Sequence, residues 1–318
     1  AWHIGAHYTD QFVAVSPGAG FAETARYQNL TPEKYPPSYE QKLWGLYDVP
    51  GYVRSLFNTE VIAYSGENDK QIQAARIMEE AYRHEGRELP HLIGPGVEHK
   101  YEPKTLEELL GRLAALSAKG RRWHETVRIQ TQTLRYSHYE WLMITGLQEH
   151  WQDSRADGER LGDNRYRVAT RNVASIEIFG SADRDATVEV DGQTVTVPYD
   201  SNDPGIRLTL VNKRWEPSPS RRTKLAAPLA KVRELQGPID DAFMSKFVIV
   251  LPQGKSSVPA AQRWTDYELE HFRSRWRALM RGDAPIVMDY EVNSGEYKDA
   301  NWILWGDLVY TDLASETP

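Results

Sequence analysis

Two short phrases in this chain carry residue types that could do chemistry together. Tyr64-Ser65-Gly66-Glu67-Asn68-Asp69-Lys70 holds a carboxylate at a turn, and Gly94-Pro95-Gly96-Val97-Glu98-His99-Lys100-Tyr101 holds an imidazole in a glycine-rich loop. A histidine takes a proton from a hydroxyl efficiently when a carboxylate holds its other ring nitrogen and stabilises the cation that forms. Asp69 and His99 are the candidates for those two roles. Each also has a plainer reading. Asp69, or Asn68 before it, is a residue type that caps helices, and His99 can be an ordinary polar loop histidine. Glu67 and Glu98 flank the pair, and either could replace Asp69 as the orienting acid.

A nucleophile is the missing part. No Gly-x-Ser-x-Gly occurs in the 318 residues, and Ser16 and Ser65 follow apolar stretches without the flanking glycines of a sharp strand-to-helix turn. His3 and His7 are spaced to share a helix face, but no glutamate lies between them, and the other histidines form no metal-ligand pattern. No phosphate-binding loop, dinucleotide fingerprint or calcium loop is present, so no cofactor or metal is expected. The chain has no cysteine, which excludes disulfides and thiol chemistry. Lys119, Arg121 and Arg122 form a short basic run that reads as solvated surface. The formal charge of -7 does not favour nonspecific binding to nucleic acid or anionic membrane. There is also no 18-residue apolar run to span a bilayer.

The elements around the pair read as alternating α/β over residues 1–120. An apolar strand at Phe12–Ser16 comes first, then one at Val61–Tyr64 that leads into Asp69. A helix over Gln71–His84 follows, then a strand at Leu89–Ile93 that leads into the His99 loop, and a helix over Thr105–Ala118. This order predicts a parallel sheet, and loops after parallel strands gather at its carboxyl edge, where sites form. Three strands leave an edge open and a face short of cover, which points to strands supplied from elsewhere. Residues 121–215 change period and read as a small antiparallel β domain, with Asp191-Gly192 as the strongest hairpin turn. Its Trp and Tyr residues serve a core or a peptide- or glycan-binding face. Residues 216–318 begin with a link at Pro217–Leu229. They return to α/β, with strands at 247–251, 286–288 and 302–305 and a helix over Pro259–Met280.

Residues 1–120 resemble the carboxyl half of the catalytic domain of the prolyl oligopeptidase family (peptidase S9-like), within the α/β-hydrolase superfamily. The likeness extends to large bacterial members. Ala1-Trp2-His3-Ile4-Gly5-Ala6-His7-Tyr8 and Phe12-Val13-Ala14-Val15-Ser16-Pro17-Gly18 resemble the stretch after that family's nucleophile elbow, and the Asp69 and His99 phrases resemble its acid and histidine segments. Asp163–Val173, Gly237–Phe243 and Asn301–Asp307 resemble accessory regions of the same members. The resemblance implies a partial α/β-hydrolase sheet containing the last strands only, then the antiparallel β domain and a small carboxyl-terminal α/β region. It implies a Ser-Asp-His triad with Asp69 as acid and His99 as base. The opening residues read as later turns of a helix, so the serine is expected upstream of Ala1 or on another chain. The reading is then a fragment, inactive alone, of a peptidase or carboxylesterase. Its partner would be an amino-terminal hydrolase fragment or second subunit supplying strands and serine, and its substrate a peptide or ester. A secreted or periplasmic setting goes with the family, and homo-oligomerisation stays open. The competing expectation is a noncatalytic peptide- or glycan-binding scaffold derived from a hydrolase.

Overall fold

The computed structural model describes residues 1–180, 184–202, 205–218, 230–292 and 295–306. Most of the expected link at Pro217–Leu229, and Asp307, lie outside these residues. The chain divides into two compact units, Ala1–Arg233 and Glu234–Pro318. It mixes helices with parallel and antiparallel sheets, and no sheet closes into a barrel among the described residues.

The first unit opens with helix α1 (Trp2–His7), strand β1 (Ala14–Val15) and two short helices, α2 (Thr24–Tyr27) and α3 (Ser38–Trp44). Then come β2 (Glu60–Val61), β3 (Ala63–Gly66), α4 (Ile72–His84), β4 (His91–Gly94) and α5 (Pro103–Lys119). Strand β1 pairs with β2 and β3 with β4, all parallel, and β2 runs into β3 with only Ile62 between them. Further backbone bonds, Ile62 N–H to Val15 O and Tyr64 N–H to Pro17 O, extend the first pairing along the same chain segment. The three expected strands are therefore there, the first and third shorter than the apolar runs that encode them and the second reaching from Glu60 to Gly66 with a break at Ile62. Of Ile72, Ala75, Met78 and Tyr82, which the spacing sets on one side of α4, all but the half-buried Ile72 are buried, and Ala74 and Ile77 join them. In α5 the stripe is narrower than the leucine spacing suggests, for Leu109 is buried while Leu110 is 56 % exposed.

The rest of this unit is β structure. Strands β5 (Thr126–Thr131), β6 (His138–Tyr139), β7 (Leu142–Leu147), β8 (Ser154–Gly162) and β9 (Arg165–Arg171) are followed by β10 (Val173–Ile178), β11 (Ala186–Val190), β12 (Gln193–Val197), β13 (Ile206–Val211) and β14 (Arg214–Pro217). They form two five-stranded sheets, β14-β13-β10-β7-β6 and β12-β11-β9-β8-β5. Their buried residues, with Trp141, Ile144, Ile176 and Leu208 among the most enclosed, make one apolar core. The expected antiparallel character holds except at β9 and β11, which pair in parallel. Asp191 and Gly192 both take positive φ, 47° and 79°, and turn β11 into β12 as a tight hairpin requires.

Strand β8 was not anticipated. Its inward positions are Ser154, Ala156 and Gly158, too small to register as an apolar alternation. The small residues are needed because a Cβ on Gly158 would meet the Trp141 ring at 2.7 Å.

The segment Val49–Asn58 joins the two layers of this unit. Asn58 Nδ2 donates to Arg128 O at 2.6 Å, and its Oδ1 accepts from Arg128 N–H at 2.8 Å. Arg54 pairs with Glu85 at 2.5 Å and with Asp157, while Arg155 reaches Glu85 at 2.9 Å.

The second unit has a parallel sheet, β16 (Ile286–Met288), β15 (Phe247–Leu251) and β17 (Asn301–Leu304), with β15 central. Helix α6 spans Pro259–Met280, as the sequence predicts. Phe272 and Trp276 of α6 pack on Phe243, Phe247 and Trp305, but Trp264 and Leu279, expected on the same stripe, are each 67 % exposed.

Candidate active site

Asp69 lies in the turn that takes β3 into α4. All four residues of β3 are buried, and the turn is closed by Asp69 N–H on Gly66 O at 3.1 Å. Two more backbone bonds stitch it to the next loop, Glu67 N–H to Gly94 O and Asn68 N–H to Val97 O, both 2.9 Å. The Asp69 side chain divides its oxygens between two tasks. Oδ1 accepts from Gln71 N–H at 2.8 Å at the entrance to the helix, and Oδ2 lies 2.9 Å from His99 Nδ1. The imidazole-orienting contact of Asp69 is present on one oxygen; the other closes a turn onto Gln71, and α4 itself begins at Ile72 without a side-chain cap. The carboxylate is only 6 % exposed, so the bond to His99 is shielded from competing water on that side.

His99 sits in the loop between β4 and α5, and that loop is tightly held. Gly96 N–H donates to Glu67 Oε2 at 2.7 Å. Tyr64 reaches up from β3, where its hydroxyl donates to Lys100 O at 3.0 Å and accepts from Glu102 N–H at 2.8 Å. The loop also lies directly on Gly66, where a Cβ would collide with the carbonyl oxygens of Val97 and Glu98. Glu102 then caps α5, accepting from Thr105 N–H at 2.7 Å.

The His99 ring itself is open, with its side chain 67 % exposed. Asp69 can only accept, so Nδ1 carries the hydrogen and Nε2 presents its lone pair outward, without a protein partner among the described residues. This is the tautomer that a general base uses. A hydroxyl brought to Nε2 would lose its proton to a ring whose resulting charge faces a carboxylate. No serine hydroxyl of the described residues bonds to His99. Of the two competing acids, Glu67 is spent on Gly96 N–H, and the Glu98 carboxylate makes no bond to the ring.

The other histidines are dispersed. His3 Nε2 bonds Leu46 O at 2.7 Å, and His7 packs edge-on against His3 with ring centroids 4.2 Å apart. His7 is buried with neither ring nitrogen partnered among the described residues. Burial, reinforced by His3, pushes its pKa from 6.5 to about 2, so it is a neutral core imidazole. No group of three or more potential ligands gathers as a metal site among the described residues.

One arrangement was not foreseen. Ser65 Oγ lies 3.0 Å from His91 Nε2, and His91 Nδ1 lies 2.8 Å from Glu79 Oε1. Hydroxyl, imidazole and carboxylate thus follow one another as in a catalytic triad, but Ser65 is 1 % exposed and the His91 side chain 3 %. No carbonyl can approach the serine, so the chain of bonds ties β3 and β4 to α4. Burial pushes the Glu79 carboxyl up, but bonds from Arg76 and His91 outweigh it and hold it below its ordinary value. No local sequence pattern marks this contact; the pairing of β3 with β4 creates it by setting His91 opposite Ala63, two residues from Ser65.

Among the described residues no helix is long and apolar enough to cross a membrane. Comparison with family models, curated proteins and solved structures finds no match to this chain.

Proposed function

We propose that Asp69 and His99 are the acid and base of a serine-hydrolase triad whose nucleophile is contributed by residues other than those of this chain. The observation that carries the reading is the 2.9 Å bond between a buried carboxylate and the Nδ1 of a ring whose Nε2 is open. The parallel order β1, β2–β3, β4, with the acid after the second strand segment and the base after the third, supports the last strands of an α/β-hydrolase sheet. Strand β1 has no second partner among the described residues, which leaves an edge where a further strand can join.

In the completed site a serine at Nε2 attacks an ester or amide carbonyl. His99 takes the serine proton and returns it to the leaving group, while Asp69 holds the ring and stabilises its cationic form. Oxyanion donors would come with the nucleophile-bearing segment. This chain by itself is then inactive.

The test is covalent labelling with a fluorophosphonate probe, read by intact mass. The chain alone is expected to remain unlabelled. Protein isolated from its native cells is expected to be labelled on a serine outside these 318 residues, upstream of Ala1 or on a companion polypeptide, in a manner that His99→Ala abolishes. Labelling of a serine within this chain that depends on Asp69 would sink the proposal.

A further inference from the structure

The basic run Lys119, Arg121 and Arg122 lines one side of a cavity of about 350 Å³. We propose that this cavity is a binding site for a small organic phosphate, separate from the Asp69–His99 pair. Val13, Thr59 and Glu60 also line it, and they stand at the amino ends of β1 and β2. His99 follows the carboxyl end of β4, so the two sites occupy opposite edges of the parallel sheet.

Three observations point to an anion. First, Lys119 and Arg122 have no carboxylate partner among the described residues, and the side-chain bond of Arg121 goes to a neutral acceptor, Asp10 O at 2.6 Å. Second, Glu60 is the one carboxylate among the lining residues, so cations dominate the wall. Third, His124 on the same wall is held in place. Its Nδ1 and backbone N–H both bond the Glu140 carboxylate at 2.9 Å, and the Glu140 side chain is 1 % exposed. The Tyr139 hydroxyl accepts from Nδ1 at 3.1 Å and donates to Asn58 O at 3.0 Å. With Nδ1–H turned to Glu140, His124 Nε2 presents its lone pair without a partner among the described residues, an acceptor for the O–H of a phosphate monoanion.

The remaining lining says what accompanies the charge. Phe12, Phe57 and Leu116 provide apolar surface beside the cations. A phosphate monoester with an aromatic or acyl body satisfies both halves, its dianion meeting several cations and its body covering the rings. The volume suits a small molecule.

Isothermal titration of the whole chain with phenyl phosphate tests this, with inorganic phosphate as the comparison. Saturable one-to-one binding is expected, tighter for phenyl phosphate than for phosphate and weakened by added salt. The double variant Lys119→Glu/Arg122→Glu changes exposed residues and is expected to lower affinity by at least about tenfold, with an unchanged circular dichroism spectrum. Lys34→Glu, which does not line the cavity, should bind as the unaltered protein does. The proposal is overturned by absence of saturable binding at concentrations up to about 10 mM. It is equally overturned by binding that survives the double variant, or by an equal loss in Lys34→Glu. None of these outcomes depends on whether His99 is a catalytic base.

Discussion

At the scale of single residues, two histidines show how environment divides one side chain between different uses. His99 rests on a buried carboxylate with its far nitrogen free, so the bond that positions the ring also satisfies Asp69. His99→Ala leaves Asp69 Oδ2 without its partner and is expected to cost about 1–3 kcal/mol, measured by urea denaturation. In the completed hydrolase the same change should remove triad turnover. Asp69→Asn keeps an oxygen for Gln71 N–H but presents the wrong partner to Nδ1. The expected loss in kcat is about 10⁴-fold, with the fold retained.

His7 is the reverse case, because it contributes no chemistry and makes the fold sensitive to acid. Its pKa in the folded chain, about 2, lies below its unfolded value, so the unfolded chain binds the extra proton as pH falls. The stability is fully present above about pH 6.5 and declines below it by up to ~1.4 kcal/mol per pH unit. His7→Phe should flatten that decline without lowering stability at neutral pH, since it also removes two buried, unpartnered nitrogens. Denaturant titrations at pH 5 and pH 7.5 would show whether the slope disappears. The sequence made His3 and His7 neighbours on a helix, but nothing local said that His7 would be enclosed by Tyr52 and Tyr136 from distant segments.

At the scale of elements, the site depends on how the His99 loop is laid against β3. Tyr64 serves two backbone groups of that loop, and Gly66 leaves room for its carbonyls. Tyr64→Phe strands Lys100 O and Glu102 N–H and should cost about 1–3 kcal/mol. Faster amide exchange confined to residues 95–102 would check that the loss is local. The strand–turn–helix signals around Asp69 and His99 were legible because each is a short-range pattern, an apolar run ended by a turn. Strand β8 was not, because Ser154, Ala156 and Gly158 face the core for reasons of space. The bulky partner is Trp141 on the facing sheet, and Gly158→Val should destabilise by about 1–3 kcal/mol through overpacking. Thermal unfolding of the variant checks the direction.

At the scale of the whole molecule, the first unit holds its α/β and β portions together through polar contacts. Arg54 and Arg155 converge on Glu85, and Arg54 also meets Asp157, across elements far apart in sequence. The Arg54 and Glu85 side chains are each 15 % exposed, so removing one partner leaves charge poorly solvated. Arg54→Ala should cost about 2–4 kcal/mol and lower the urea midpoint of this unit in one transition. Two separated transitions would show that the portions unfold independently.

By itself the sequence determined the order of strands and helices around the two phrases that bear Asp69 and His99, the hairpin at Asp191-Gly192 and the long helix Pro259–Met280. These are matters of periodicity and turn chemistry, which act over a few residues. Only the tertiary structure decided that Asp69 reaches His99, that His91 seals Ser65 inside, that His7 is buried neutral and that Lys119, Arg121 and Arg122 share a cavity wall. Burial and pairing are set by which distant segments cover a residue, and a charged or small side chain carries no local mark of what will cover it.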